Sequence, residues 1–359
     1  MSNKLLLGTA KGLILYEKGS SGWKYAKDFF KGFSISLVAR NDNDHSWWIG
    51  LDHKHWGPKL HRSKDEGATW EEMGIPKYPD DVEIKPGLSA TLRYLWSFAN
   101  GGADQPDVVH IGTEPGGLFK STDGGASFQL DQNLWDHPSR MDHWFGGGRN
   151  HPGIHSIVID PRDNNHIYVG ISCAGVFETK DGGVSWQPRN KGLRADFLPN
   201  PDVEVGQDPH LVLACRSNPD VIWQQNHCGV FRSANAGVTW SDVSDPKGLS
   251  NYGFSLAIDD DHPERAWVMP ATSDEMRIAV DGALYLNYTE DGGVTWQEIR
   301  NGLPQTHCFD IVLRHALDRY RDDMGFGTSG GSIFLSGDEG KSWNALNHHL
   351  PRVFAVKFV

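Results

Sequence analysis

Short runs of alternating apolar and polar residues, bounded by glycine and proline, recur along the whole chain. The clearest stretch predicts an inner strand over 154–160, a turn at 161–165, and further strands over 166–170 and 176–179. Alternation with a period of two is typical of half-buried strands, and gaps of a few residues that contain glycine are typical of hairpins. A fourth strand starts at Trp186, so the pattern predicts a four-stranded antiparallel unit.

One eight-residue motif, Ser/Thr-x-Asp-x-Gly-x-Ser/Thr-Trp, follows the third strand of that unit and returns at intervals of 47 to 58 residues. Its aspartate can accept backbone N–H bonds across a tight turn, its glycine tolerates a positive φ, and its aromatic residue packs between sheets. A period near 50 residues is typical of a β-propeller with one blade per repeat. The six readable copies have their third position at Asp65, Asp123, Asp181, Asn235, Asp291 and Asp338.

The two ends of the chain predict a seventh blade. Residues 5–16 match the second and third strands of a blade, and Trp23 stands where the motif tryptophan would stand. The C-terminal run 353–359 follows the last motif and fits the missing inner strand. The prediction is therefore an all-β, seven-bladed propeller of four-stranded blades, closed by the C-terminal strand, because closure removes free sheet edges. It is expected to form a single domain over 1–359, with blade 1 built from 353–359 plus 1–29.

Composition narrows the classes of partner. The formal net charge is −12, which argues against a nucleic-acid partner. The sequence contains no run of 18 apolar residues, so no membrane span is predicted. The apolar run near the N-terminus is too short for a signal-peptide core, so a cytoplasmic location is expected. The four cysteines show no metal-finger spacing and are expected to be mostly buried thiols.

In such a blade, the hairpin between the second and third strands shares a face with the linker to the next blade. This face, here called the top, is expected to carry two long insertions, 129–153 and 271–282. Long loops in a compact repeat are often functional. His155, His210 and His307 are predicted to open inner strands near the central axis, and His227 lies in a top hairpin.

Histidines and carboxylates that converge on the top suit a divalent metal or general acid–base chemistry. The predicted metal ligands are His155, His210, His227 and His307. The predicted catalytic residues are Glu114, Asp142, His143 and Glu275. The predicted substrate-binding residues are Arg149, Arg216, Arg277, Trp144 and Gln225. The alternatives are that these groups form a polar, solvated opening, or that each is a hydrogen-bonded structural residue.

The repeat resembles the BNR/Asp-box propeller superfamily over nearly the whole chain. Segments 141–148, 153–156, 208–210 and 224–229 look like those of soluble bacterial proteins described as sialidase-like or glycosyl-hydrolase-like. The repeat is also similar to that of photosystem II stability/assembly factors. The resemblance implies a hydrolase-like activity, but the Phe/Tyr-Arg-Ile-Pro segment of sialidases is absent from this sequence, and sialidases have six blades.

Three functions remain open at this point. The first is a hydrolase-like enzyme that acts on a small polar or sugar-like substrate on the top face, assisted by a divalent metal. The second is a non-catalytic binding or assembly propeller with a protein partner. The third is a glycan-binding lectin. Five tryptophans are expected at the surface for partner or sugar contact: Trp47, Trp48, Trp56, Trp135 and Trp144.

Overall fold

The computed structural model describes residues 3–359, which fold almost entirely into β-strands. The strands before residue 190 are β1 (Lys4–Thr9), β2 (Gly12–Gly19), β3 (Gly22–Phe29), β4 (Ser34–Arg40), β5 (Trp47–His53), β6 (Gly57–Ser63), β7 (Glu71–Glu72), β8 (Glu83–Lys85), β9 (Leu88–Ser89), β10 (Tyr94–Asn100), β11 (Val109–Glu114), β12 (Leu118–Ser121), β13 (Gln129–Leu130), β14 (Ile154–Asp160), β15 (Asp163–Ile171), β16 (Gly175–Thr179) and β17 (Gln187–Pro188). The remaining strands are β18 (Pro209–Ala214), β19 (Ile222–Asn226), β20 (Gly229–Ser233), β21 (Ser241–Asp242), β22 (Gly253–Ile258), β23 (Ala266–Pro270), β24 (Leu286–Thr289), β25 (Gln297–Ile299), β26 (Leu317–Tyr320), β27 (Asp323–Gly327), β28 (Ile333–Ser336), β29 (Asn344–Asn347) and β30 (Val353–Phe358). Two short helices, α1 (Gln132–Trp135) and α2 (Arg140–His143), and a 3₁₀ turn at Val280–Gly282 complete the elements.

Seven four-stranded sheets account for nearly all of these strands. Six are sequential, β4–β7, β10–β13, β14–β17, β18–β21, β22–β25 and β26–β29, and the seventh has the order β3-β2-β1-β30. This is a seven-bladed β-propeller, and the predicted fold class is confirmed. The hairpin β8–β9 forms a separate two-stranded sheet. None of the helices within residues 3–359 is long and apolar enough to cross a membrane.

The chain divides into two compact units. The first contains the residues up to Val38, Leu213–Ala236 and Ser241–Val359. The second contains Ala39–Val212 and Gly237–Trp240. That the whole chain behaves as a single domain over 1–359 stays a prediction; Met1 and Ser2 of blade 1 lie outside the described residues.

The C-terminal strand completes blade 1 in the way that the sequence predicts. Strand β30 pairs antiparallel with β1, with Leu5 opposite Phe358 and Leu7 opposite Val356. Both leucines are fully buried, and Val356 and Phe358 pack in the same core cluster. The ends of the chain are therefore joined by backbone pairing and by a shared apolar core.

The eight-residue motif forms a closed turn around its aspartate. In the blade of β14–β17, the Thr179 hydroxyl donates to one oxygen of Asp181 at 2.7 Å, and the Ser185 amide donates to the same oxygen at 2.9 Å. The Ser185 hydroxyl donates to the other oxygen at 2.6 Å. The hydrogen bonds from the Ser185 hydroxyl and amide, then that from Thr179, lower the pKa of Asp181 to about 2. This aspartate therefore shapes the turn.

The low pKa of Asp181 predicts an acid dependence of stability. An aspartate in an unfolded chain has a pKa of about 3.9, so Asp181 stabilises the folded state above that pH, and this contribution is lost as the pH falls towards about 2. In Asp181→Asn, whose side chain matches the natural Asn235 of another copy, the melting temperature should fall less between pH 5 and pH 2 than in the wild type. The exposed Asp80→Asn is the control, and a pH dependence in Asp181→Asn equal to that of the wild type would refute the assignment.

Candidate functional site

The long linker between β13 and β14 folds into two helical turns that wall a cavity. The Asp131 side chain accepts the Leu134 amide at 2.9 Å and caps α1, so that Leu134 and Trp135 are buried. The cavity has a volume of about 260 Å³ and lies wholly within the second unit. Its walls come from the β8–β9 hairpin, the end of β11 and this linker: Ile84, Lys85, Leu88, Pro115, Gly116, Trp135, Arg140, Trp144, Phe145, Gly146, Asn150, His151 and Pro152.

Arg140 ties the linker to the β8–β9 hairpin. Its Nη1 donates to the Ile84 carbonyl at 2.9 Å, and its Nε donates to the Trp135 carbonyl. The guanidinium carbon lies 4.2 Å from the centre of the Trp135 ring, a cation–π distance. Burial lowers the pKa of Arg140, while Asp136 and Tyr78 raise it. The guanidinium keeps further N–H groups beyond these two bonds, because arginine carries five.

Two aromatic residues after α2 give the cavity an apolar wall. Trp144 is buried, packs against Phe177 with ring centres 5.1 Å apart, and donates from Nε1 to the Ser139 hydroxyl at 3.1 Å. Phe145 follows it and is half-buried. Flat apolar walls with a few polar groups are typical of small-ligand pockets.

An ion pair whose carboxylate is buried borders the cavity. Glu114 ends β11, its side chain is only 4% exposed, and it accepts a hydrogen bond from Nε of Arg149. The Arg149 guanidinium lies over two rings of β10, 4.2 Å from the centre of Tyr94 and 5.2 Å from that of Trp96. Pro115 and Gly116, the next two residues of the chain, line the cavity. Glu114 and Arg149, predicted in different roles, are therefore direct partners.

Two histidines lie near this ion pair, one in the cavity wall and one buried in a strand. His151 lines the cavity, and its pKa is lowered by burial and by Arg93 and Lys85, while Glu114 raises it. His155 is fully buried in β14, and its Nδ1 lies 2.8 Å from the Ser156 hydroxyl. Its ring centre is 5.8 Å from that of Trp96. His155 thus packs against Trp96, the ring over which the Arg149 guanidinium lies.

His210 has a carboxylate beside it. Its Nε2 lies 3.4 Å from an oxygen of Asp208, and the other oxygen of Asp208 accepts the Cys173 amide at 3.0 Å. Both Asp208 and His210 are buried. A carboxylate and an imidazole are ligands that zinc accepts, so this pair offers part of a metal site.

In the first unit, His227 pairs with Asp274 at 3.5 Å and lies edge-on to Tyr252, with ring centres 5.4 Å apart. Arg277 of the same 271–282 insertion donates from Nε to the Asp274 carbonyl at 3.0 Å. Gln225 is buried, and its amide nitrogen donates to the carbonyls of Asn226, Gly229 and Asn251. These hydrogen bonds hold the hairpin between β19 and β20 in place.

The other predicted residues lie at the surface. Asp142 and His143 are exposed on α2, and Glu275 is exposed in the 271–282 insertion. Arg216 lies in the turn between β18 and β19, 3.8 Å from Asp260, and its side chain is 67% exposed. That turn adjoins the turn of the eight-residue motif in its blade through the Ala236 amide, which donates to the Asp220 carbonyl. Arg216 therefore lies at the opposite end of its strands from His227.

Two sequence predictions need correction. His307 does not open an inner strand: it is exposed in the loop before β26, which begins only at Leu317, and it has a φ of 55°. Four of the five tryptophans expected at the surface are buried, namely Trp47, Trp48, Trp135 and Trp144. They pack inside blades or against the linker, because an indole offers a large apolar area. Trp56 is 71% exposed, as expected.

Several residues of the site were missed from the sequence. Tyr94, Trp96 and Arg140 belong to no motif and reach the site through tertiary packing. The one usable signal was position: Tyr94 opens an inner strand, as do the predicted site histidines His155 and His210.

Comparison with known proteins gives partial sequence similarity to glycosyl hydrolases. The chain is 26% identical over 285 residues to an oligoxyloglucan-reducing end-specific xyloglucanase of Emericella nidulans, covering 78% of this chain and 30% of that protein. It is 25% identical over 288 residues to a xyloglucanase of Hypocrea jecorina, covering 74% and 32%. The chain thus spans about a third of the length of these curated relatives. No family model matches it.

Solved structures support the fold. An ancestral GH74 enzyme aligns with a TM-score of 0.57 at 17% identity, over 87% of this chain and 37% of its own. YCF48 bound to a D1 peptide aligns with a TM-score of 0.53 at 15% identity, over 95% and 88%. At these identities the likeness concerns the fold alone.

Proposed function

We propose that this chain is a glycosyl-hydrolase-like propeller that binds a sugar-like ligand in the cavity between the β8–β9 hairpin and the 129–153 linker. The observation that carries the proposal is the cavity wall, in which Trp144 and Phe145 stand beside the polar groups of Arg140, Asn150 and His151. Aromatic faces pack on the apolar face of a sugar ring, and the polar groups bond its hydroxyls. The volume of about 260 Å³ lies below the range of about 300–1,000 Å³ of drug-sized sites, so it suits a small ligand.

The proposal includes a reaction, hydrolysis of a glycosidic bond by paired carboxyl groups. Glu114 is the buried carboxylate at the edge of the cavity, and its ion pair with Arg149 suits a base or nucleophile. Asp142 is proposed as the partner acid, because it lies on α2 between the cavity residues Arg140 and Trp144. Xyloglucan cleavage by the relatives motivates this chemistry, and their greater length leaves the substrate of this chain to be identified.

The binding proposal is tested with an array of neutral and acidic glycans. Phe145→Ala should weaken binding of any ligand found by at least about tenfold, because the variant removes one aromatic wall of the cavity. Trp56→Ala is the matched control, since Trp56 is exposed at the tip of the β5–β6 hairpin and does not line the cavity. An array without glycan hits, or equal binding by Phe145→Ala, would overturn the cavity assignment.

The second candidate is a non-catalytic binding or assembly propeller, and the exposure of Trp56 favours it. An indole that is 71% exposed, with the His55 ring edge-on at 4.6 Å, can anchor a partner protein. Here the two variants reverse their roles: Trp56→Ala should lose the partner and Phe145→Ala should keep it.

Metal assistance stays a proposal centred on Asp208 and His210. Protein purified without a chelator should then carry Zn²⁺ or another divalent ion at nearly one equivalent per protein chain, measured by mass spectrometry. His210→Ala should lose the ion. The metal content of His155→Ala and of His227→Ala shows whether these two predicted ligands also bind it. His349→Ala, an exposed residue outside the proposed ligand set, is the control. Metal-free wild-type protein that still turns over substrate would remove the metal from the mechanism.

A further inference from the structure

The charges around the cavity are unevenly distributed. Its lining includes the cations Lys85 and Arg140 and the imidazole of His151, and none of those lining residues is acidic. The chain as a whole has 46 Asp and Glu residues against 34 Lys and Arg residues, so a cavity whose charged lining residues are all basic runs against its composition.

The neighbouring carboxylates do not cancel this positive charge. Glu114 is engaged by Arg149, whose Nε donates to it. Asp136 is close enough to Arg140 to raise its pKa, and it also accepts a hydrogen bond from Gln132 at 2.8 Å. Arg93 adds a further positive charge near His151. Four cations, Lys85, Arg93, Arg140 and Arg149, therefore outnumber the three carboxylates around the cavity, Glu114, Asp136 and the exposed Asp142.

The basic groups also converge. Arg140 donates to the carbonyl of Ile84, the residue directly before Lys85, so the two side chains project from adjoining parts of the wall. Lys85 and His151 line the same cavity, and the charge of Lys85 contributes to the lowered pKa of His151. The Arg140 guanidinium is held by two backbone carbonyls and by the Trp135 ring, so it is preorganised, and its remaining N–H groups can pair with an anion.

We infer that the cavity binds an anionic group and that its ligand is an acidic sugar, bearing either a carboxylate or a phosphate. This inference rests on the proposed function and narrows its substrate class. Trp144 and Phe145 would contact the sugar ring, while Arg140, Lys85 and His151 would bind the anionic substituent.

The test is calorimetric titration with three probes: D-glucuronate, D-glucose 6-phosphate and D-glucose. At least one anion should bind about tenfold or more tightly than glucose, and added NaCl should weaken binding of that anion while leaving glucose unchanged. A preference for glucuronate would identify a carboxylate ligand, and a preference for glucose 6-phosphate would identify a phosphate ligand.

Two variants locate the effect in the cavity. Lys85→Gln, at an exposed side chain with little influence on folding, should weaken the preferred anion about twofold to fivefold. Arg140→Lys should weaken it further, because lysine cannot pair bidentately. Lys77→Gln, an exposed lysine paired with Asp80 outside the cavity, is the control and should bind as the wild type does.

Glucose binding as tightly as both anions, or Lys85→Gln binding the preferred anion like the wild type, would overturn the inference. The failures of the two proposals are distinguishable. Neutral glycans that bind the array and are lost in Phe145→Ala would leave the sugar site standing without its acidic specificity. Absence of binding by all three probes also overturns the inference, and the array then decides separately on the sugar site.

Discussion

A chain that ends at Pro351 should fail to fold. The truncation removes β30, the inner strand of blade 1, and leaves one edge of β1 unpaired. It also strips Val353, Val356 and Phe358 from a core in which each is at most 5% exposed. Burial of side chains of this size is worth about 1.5–3 kcal/mol each. Their combined loss approaches the whole stability of a typical domain, about 5–15 kcal/mol. Circular dichroism with thermal melting measures the outcome.

Two controls separate closure from a general sensitivity of the C-terminus. Deletion of Val359 alone leaves β30 intact and should lower the melting temperature only slightly. A synthetic peptide of residues 351–359, added in trans, should restore a cooperative transition to the truncated chain. A truncated protein that melts cooperatively within a few degrees of the wild type would show that β30 does not hold blade 1 together.

Glu114→Gln should lower kcat by about 10²–10⁴-fold on any glycoside that the wild type cleaves. This is the usual contribution of a positioned acid or base, and an amide can neither take up a proton nor act as a nucleophile. Asp142→Asn should give a loss of similar size if the two carboxyl groups act together. The measurement is steady-state kinetics on the substrate class that the glycan array identifies.

Glu114→Gln also removes the negative charge that pairs with Arg149, so stability must be measured beside activity. Melting temperatures of the variants show whether a loss of kcat reflects chemistry or unfolding. Glu71→Gln, which changes an exposed carboxylate that pairs with Arg62 and does not line the cavity, is the control and should retain wild-type turnover. Full activity in Glu114→Gln would move the chemistry away from this cavity.

The blade count and the closure of blade 1 could be predicted because each blade carries its own local signal. The turn of the eight-residue motif is encoded between Thr179 and Trp186, and its hydrogen bonds need no partner elsewhere in the chain. The final strand was predictable by elimination, since 353–359 had no other pairing edge. The architecture of a repeat protein can be predicted from its sequence because each repeat packs in the same way against its neighbours.

The cavity could be anticipated only as a long loop. Its walls join Lys85 of the β8–β9 hairpin to Arg140 and Trp144 of the linker, segments more than fifty residues apart in sequence. No sequence periodicity links these two segments. The sequence therefore indicated only that the linker is a long insertion, and the structure shows that the β8–β9 hairpin packs against it. The buried Trp47, Trp48, Trp135 and Trp144 were misassigned for the same reason, because burial of an indole depends on what packs over it.

His307 shows how a loop can imitate a strand. Residues 307–313 alternate like an inner strand, yet Phe309 is 70% exposed and Asp310 accepts the Thr328 hydroxyl at 2.7 Å. The segment is held by such side-chain bonds and does not enter the ladder, and β26 begins at Leu317. Hydrophobic alternation alone does not distinguish a paired strand from an extended loop.

The most direct test of the central claim is a crystal structure with the glycan that binds tightest on the array. The account predicts that one sugar ring lies in the cavity against Trp144 and Phe145, with Arg140 and Glu114 within hydrogen-bonding reach. A ligand seated on the hairpin around Trp56, or anywhere outside the walls between Ile84 and Pro152, would contradict it.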